Sequence, residues 1–135
     1  MPNLRIPLFG TRVLITLFMI PWTLMRFTQP DSARGVADTY YGPLGSLPDA
    51  MFLVIAMLMA LLLLAFAIGF RKRISYGLML LLHTVGTAMT IPSLIPGLEG
   101  YNQLFLAALP TIGAMWLLYV LRDQDTLLAV SRPKA

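Results

Sequence analysis

The only histidine of the chain, His83, lies within a long apolar stretch and is the residue best suited to chemistry. An ionisable side chain inside a membrane helix marks a functional site by default. Thr87 and Thr90 follow at i+4 and i+7, so one helix face carries a polar stripe. A neutral imidazole there could bind a quinone carbonyl, relay a proton or ligate a metal. Alternatively, it makes one hydrogen bond to a threonine or a free carbonyl and holds the helices together. We favour this second interpretation, because one such bond satisfies a neutral imidazole.

Arg26 and Trp22 form a second candidate group, one helical turn apart at the end of the first apolar stretch. A guanidinium there could bind an anionic head group or a substrate carboxylate. We expect instead that Arg26 reaches the membrane interface and pairs with Asp31 or Asp49. Trp22 could belong only to the interfacial aromatic belt.

The remaining polar residues suggest no metal, cofactor or catalytic group. No carboxylate lies at helical spacing from His83, so we expect no metal site. A single histidine excludes a bis-histidine haem within one chain, although a homodimer could supply two. Asp123 and Asp125 are a pair of carboxylates that we expect to be solvated. No phosphate loop, nucleophile triad or dinucleotide-binding glycine pattern is present, so the isolated chain is not expected to be an enzyme.

The composition places these residues in a membrane protein. The 135-residue chain is 58% hydrophobic and 12% charged, with a mean hydropathy of +0.77. Soluble domains have about 25% charged residues. The basic residues lie scattered between apolar runs and form no basic face, which excludes a nucleic-acid-binding domain. There is no cysteine, hence no disulfide and no thiol chemistry.

Four apolar stretches each approach the roughly 20 residues that cross a bilayer. They predict helices over about 8–27, 50–70, 75–95 and 102–121, because backbone groups in lipid must satisfy one another. Within the first stretch, Pro21, Trp22, Leu24 and Met25 stand where a signal peptide would have small cleavage-site residues, so we interpret the stretch as an uncleaved anchor. The sequence thus predicts one all-helical domain over 1–135, an integral membrane four-helix bundle.

Basic residues predict the orientation of this bundle. Eight would lie on one side, and only Arg26 and Arg34 on the other; the eight are Arg5, Arg12, Arg71, Lys72, Arg73, Arg122, Arg132 and Lys134. By the positive-inside rule both termini are cytoplasmic.

The first outer loop is long enough to hold structure of its own. Pro30-Asp31-Ser32 is a typical helix start and Gly42 a typical stop. Apolar residues recur on one face between them, and Arg34 and Asp38 can pair at i, i+4. We expect a short interfacial helix over about 31–41.

The order of these features resembles the DoxX-like family of small bacterial four-helix membrane proteins. The first span ends in Trp22-Thr-Leu-Met-Arg26-Phe-Thr-Gln-Pro30, and Leu44-Gly-Ser-Leu-Pro48 leads into a leucine-rich span that ends Ile68-Gly-Phe-Arg71. A span with a histidine follows, and the last one closes with Leu121-Arg-Asp-Gln-Asp125-Thr-Leu-Leu. The resemblance implies a multi-pass protein of the bacterial inner membrane. The family takes its name from a subunit of a thiosulfate:quinone oxidoreductase.

Three functions remain open at this point. The first is a non-catalytic subunit or scaffold of an envelope complex. The second is a quinone-linked redox subunit with His83 and the threonine stripe at the head group, and the third is a transporter of a small hydrophobic solute. No cofactor is evident, although the second function implies a quinone. The expected partners are the lipid bilayer and either another membrane protein or further copies of the chain, with no nucleic acid.

Overall fold

The computed structural model describes residues 3–94 and 106–130, and this part of the chain is helical with no strand. The helices are α1 (Arg5–Thr28), α2 (Pro30–Tyr41), α3 (Asp49–Ala67), α4 (Lys72–Leu94) and α5 (Ala108–Val120), with a 3-10 turn at Gly42–Leu44. The predicted all-helical class is confirmed for the described residues.

Three of these helices are long and apolar enough to cross a membrane, namely α1, α3 and α4 over Lys72–Ile91. They correspond to the first three predicted stretches. The described part of the fourth is the shorter helix α5 of 13 residues. The predicted start of that stretch, at residue 102, lies outside the described residues.

Helix α3 ends at Ala67, three residues earlier than predicted, because Gly69 adopts a left-handed conformation with φ of 63°. The Phe70 amide donates to the Ala65 carbonyl at 2.8 Å, and the Gly69 amide donates to the Phe66 carbonyl at 3.1 Å. These two bonds form a Schellman motif, which satisfies the carbonyls at the helix end. The chain then turns directly into α4.

Helix α2 is present where the outer-loop pattern predicted it. Pro30 occupies the first turn, where its missing amide costs nothing, and Gly42 follows the helix with φ of 58°. Ala33 and Ala37 are buried against Phe52 at the start of α3. The apolar face of α2 therefore packs on the long helices.

The long helices contact one another in a closed cycle: α1 packs on α3, α3 on α4, α4 on α5, and α5 on α1. Their shared core is a set of eight buried residues: Leu8, Ile15, Leu63, Phe66, Tyr76, Met79, Met115 and Leu118. Large apolar side chains also face outward on all four helices, and Leu14, Leu61, Leu81 and Trp116 are each more than half exposed. Such an exterior suits hydrocarbon, where apolar exposure carries no cost.

The assembly has two distinct ends. The α2 end holds the last turn of α1, helix α2 and the start of α3. The C-terminal end holds the start of α1, the turn between α3 and α4, and residues 121–130.

Candidate functional site

A cavity of about 240 Å³ lies between α1, α2, α3 and α4, toward the α2 end. Its wall is mostly apolar. The lining residues are Phe18, Met19, Trp22, Thr23, Met25, Arg26, Ala33, Val36, Ala37, Tyr41, Leu44, Phe52, Ile55, Met59, Leu62, Leu63, Met79, Leu82, His83, Gly86, Thr87, Thr90 and Ala108.

All five residues singled out in the sequence lie in this wall. His83, Thr87 and Thr90 come from α4, where spacings of four and three keep them on one helix face. Trp22 and Arg26 come from one face of α1 for the same reason. Helix spacing could predict each group, but only the packing of α1 against the other helices brings the two groups to one cavity. Their role in binding stays a prediction.

The His83 side chain is half-buried, and its Nε2 atom is buried with no hydrogen-bond partner among the described residues. The imidazole packs edge-on against the Phe18 ring, with centroids 6.2 Å apart and an interplanar angle of 88°. The backbone of Ala108 approaches the ring from α5. A buried polar atom without a partner costs free energy of about 1–3 kcal/mol. A bound molecule that hydrogen-bonds to Nε2 would recover that cost.

The two threonines do not supply that missing bond. Thr87 Oγ1 donates to the His83 carbonyl and Thr90 Oγ1 donates to the Thr87 carbonyl, each at 2.8 Å. Their hydroxyl hydrogens are therefore used within α4, and only their oxygens can accept further bonds. The expected bond of the imidazole to a threonine or a free carbonyl is thus not made by a threonine to Nε2 within the described part of the chain. The approach of the Ala108 backbone to the ring fits the carbonyl alternative, which stays a prediction.

Arg26 likewise differs from expectation. Its Nη1 donates to the Trp22 carbonyl at 2.7 Å, within its own helix. Asp49 instead binds Arg34, Nη2 to Oδ1 at 2.7 Å. Within residues 3–94 and 106–130, no carboxylate lies within ion-pairing distance of Arg26, so its predicted pairing with Asp31 or Asp49 is wrong.

Tyr41, the last residue of α2, also lines the cavity. Burial raises the pKa of its phenol above the usual range, and the positive charge of nearby Arg26 partly opposes this. The Tyr41 hydroxyl also lies close to Gly86 on α4, 3.5 Å from where a Cβ would be. The amphipathic pattern of α2 was the sequence signal for this contact, because a helix with one apolar face packs that face against other helices.

A second polar group lies at the C-terminal end and was missed. Asp125, expected to be solvated, is fully buried and forms an ion pair with the fully buried Arg12, Nη1 to Oδ2 at 3.4 Å. Tyr76 donates its hydroxyl to Asp125 Oδ2 at 2.6 Å, and Lys72 Nζ donates to the Asp125 carbonyl at 2.8 Å. The prediction for Asp125 is wrong because residues 121–130 fold back against the helix ends and exclude water.

Further bonds fasten this segment to α1 and to the end of α3. Arg12 Nη2 donates to the Leu127 carbonyl at 2.6 Å and to the Leu128 carbonyl at 3.3 Å. The Val130 amide donates to the Ile68 carbonyl at 2.9 Å. Arg12, counted in the sequence only as a topology signal, therefore joins the first helix to the last described segment. We call the side chains of Arg12, Lys72, Tyr76 and Asp125 the basal cluster.

The two polar groups differ in what they can do. The basal cluster pairs Arg12 with Asp125 internally, and it has unpartnered buried atoms of its own among the described residues, Arg12 Nε and Asp125 Oδ1. The cluster lines no part of the cavity, which suits a structural role. The cavity holds a guanidinium, hydroxyl acceptors and an imidazole nitrogen that has no partner among the described residues, all in apolar surroundings, as a ligand site does. Among the described residues, no three metal-ligating side chains come together.

No family model matches this sequence, and comparisons with curated proteins and with solved structures gave no match. The resemblance to the DoxX-like family therefore stays a prediction.

Proposed function

We propose that the chain is a multi-pass protein of the bacterial inner membrane, with four helices that cross the bilayer and both termini in the cytoplasm. Three long apolar helices with outward-facing aliphatic side chains support membrane insertion. The distribution of basic residues supports the orientation. Contact of α5 with both α1 and α4 supports α5 as part of the fourth crossing.

Within that membrane, we propose a non-catalytic subunit that holds a small lipophilic molecule between its helices. One observation carries this proposal: the buried His83 Nε2 has no described partner and belongs to the wall of an apolar cavity. An apolar cavity of about 150 Å³ accommodates benzene, so about 240 Å³ suffices for a substituted ring or a short alkyl chain. The apolar exterior offers contact surfaces for a membrane partner.

The cavity volume also supports a second candidate, a quinone-linked redox subunit. A substituted single ring matches the available space, and a quinone carbonyl can accept a hydrogen bond from Nε2 when the imidazole is protonated there. The subunit would then hold the quinone while a partner supplies electrons.

Binding of a decyl-substituted benzoquinone and of decanol to protein in phosphatidylcholine nanodiscs tests both candidates. We expect His83→Leu to weaken binding of the preferred probe about tenfold, equivalent to ~1.4 kcal/mol for the lost hydrogen bond. His83→Gln should retain part of the affinity, because its amide can donate and accept. Thr84→Val is the matched control, since Thr84 is exposed on α4 beside His83 and does not line the cavity.

Three outcomes decide between the candidates. A quinone that binds better than decanol and depends on His83 favours the redox subunit. Decanol that binds as well as the quinone, with the same dependence, favours the general lipophile site. Equal affinities for wild-type and His83→Leu protein, or no saturable binding of either probe, would refute a ligand site at His83.

A further inference from the structure

The cavity combines an adaptable apolar wall with one cation. Four of its lining residues are methionines: Met19, Met25, Met59 and Met79. Methionine side chains are unbranched and flexible, so a methionine-rich wall adapts to alkyl chains of different shape. The wall therefore accepts a flexible hydrocarbon body as readily as a rigid ring.

Arg26 places a positive charge against this apolar wall. It is half-buried, and its one hydrogen bond among the described residues uses a single N–H, donated by Nη1 to the Trp22 carbonyl. A guanidinium has five N–H donors arranged to bind a carboxylate through two parallel bonds. The other donors have no carboxylate partner within the described part of the chain.

The nearest ion pair involves Arg34 and not Arg26. Arg34 lies on the next helix, α2, and its Nη2 pairs with Asp49 Oδ1 at 2.7 Å. Its Nη1 donates to the carbonyls of Gly45 and Leu47. The acidic residue available at the start of α3 is thus engaged, and Arg26 faces the cavity instead. A charge without a partner inside a membrane protein is costly, and an anion would offset that cost.

We infer that the cavity binds a lipophilic carboxylate, with the carboxylate on Arg26 and the hydrocarbon chain along the methionine-rich wall toward His83. This inference rests on the proposed ligand site and names its ligand class. An acidic head distinguishes it from a neutral quinone. The competing occupant is an anionic phospholipid head group, whose phosphate would also pair with Arg26, and the experiment distinguishes it from a free carboxylic acid.

Trp22 provides a reporter within the site. It lies one turn from Arg26 and lines the cavity, whereas the other tryptophan, Trp116, faces outward and does not. In a Trp116→Phe background, 11-bromoundecanoate and 11-bromoundecanol are titrated into protein in phosphatidylcholine nanodiscs at pH 8. The two probes share the same chain and bromine, and differ only in the charged head. Saturable quenching of Trp22 measures the affinity of each.

We expect the acid to bind at least tenfold more tightly than the alcohol. Arg26→Gln should lower the affinity for the acid to that for the alcohol, because the positive charge is lost. Arg26→Lys should give an intermediate affinity, because lysine keeps the charge but cannot form the bidentate contact with a carboxylate. Arg5→Gln is the matched control, since Arg5 lies at the C-terminal end and does not line the cavity. Its affinity for the acid should equal that of the wild type.

Two results would overturn the inference and leave the proposed ligand site intact. The first is equal affinity for acid and alcohol that depends on His83 and not on Arg26. The second is loss of acid binding in discs that contain phosphatidylglycerol, which would assign Arg26 to a lipid head group. Quenching that never saturates, and that is the same in every variant, would reject both the inference and the ligand site.

Discussion

Arg12 is a fully buried cation with partners in two other segments of the chain, α4 and residues 121–130. Its guanidinium pairs with Asp125, donates to the Tyr76 hydroxyl at 3.3 Å and donates to two backbone carbonyls. A buried ion pair gains little net stability over apolar residues, because both charges lose their hydration. Removing one partner is different, since it leaves the other charge buried and uncompensated.

We therefore predict that Arg12→Met and Asp125→Leu each lower the free energy of unfolding by about 3–5 kcal/mol, measured by chemical unfolding in mild detergent. The double variant should be less destabilised than the sum of the two, by about 0.5–3 kcal/mol, because neither charge is then left alone. Arg5→Met is the control, since Arg5 is exposed, and should change stability little.

Strict additivity of Arg12→Met and Asp125→Leu would contradict a direct pair. Gly69 extends the same test, because a side chain there would meet Arg12 Nη1 and would need a left-handed backbone. Gly69→Ala should weaken the basal cluster without removing a charge.

At the scale of elements, α2 is a 12-residue helix that lines one end of the cavity. Four of its residues line the cavity. Arg34 connects α2 to the start of α3, because its guanidinium pairs with Asp49 and lies 4.5 Å from the centroid of the Phe52 ring. The same guanidinium donates to the carbonyls of Gly45 and Leu47. The predicted i, i+4 pairing of Arg34 with Asp38 is replaced by these longer-range contacts. The turn after α2 brings residues 45–49 back beside Arg34, which local spacing could not anticipate.

We predict that cysteine at Ala37 reacts slowly with a soluble thiol reagent in detergent, whereas cysteine at Thr39 reacts rapidly. Ala37 is buried and Thr39 is exposed on the same helix. Adding Arg34→Gln should raise the rate at position 37 severalfold, because α2 loses its attachment to α3. The rate at position 39 should stay unchanged and serves as the internal control. Equal rates at the two positions would mean that α2 does not pack on the long helices.

At the scale of the whole molecule, the two ends differ in character. The C-terminal end holds the basal cluster and the three consecutive basic residues Arg71–Arg73, and the α2 end holds the cavity and Arg26. With the proposed orientation, the cavity belongs to the outer half of the bilayer and the basal cluster to the cytoplasmic face.

Reporter fusions test this orientation. We expect fusions after residues 73 and 135 to report the cytoplasm, and fusions after residue 42 to report the opposite side, because basic residues are retained on the cytoplasmic face. Moving the charges provides the control: replacing Arg71, Lys72 and Arg73 with glutamine should weaken the preference. A cytoplasmic signal after residue 42 would reverse the assignment of the cavity to the outer leaflet.

The sequence by itself determined the helical class, the approximate bounds of three long apolar helices, the position of α2 and the five candidate residues. These features depend on local properties: hydropathy over about 20 residues, the spacing of 3.6 residues per turn, and proline and glycine at helix ends. Tertiary packing was not needed to infer them.

Tertiary structure alone decided which polar groups meet. Tyr76 and Asp125 are 49 residues apart, and Arg12 and Leu127 are 115 apart, yet both pairs form direct hydrogen bonds. No local pattern distinguishes the buried Asp125 from the exposed Asp123 two residues earlier. The same holds for Arg34, which takes Asp49, and for Arg26, which has no carboxylate among the described residues. Burial and charge pairing arise from distant segments packed together, because desolvation depends on the whole surrounding volume and not on sequence neighbours.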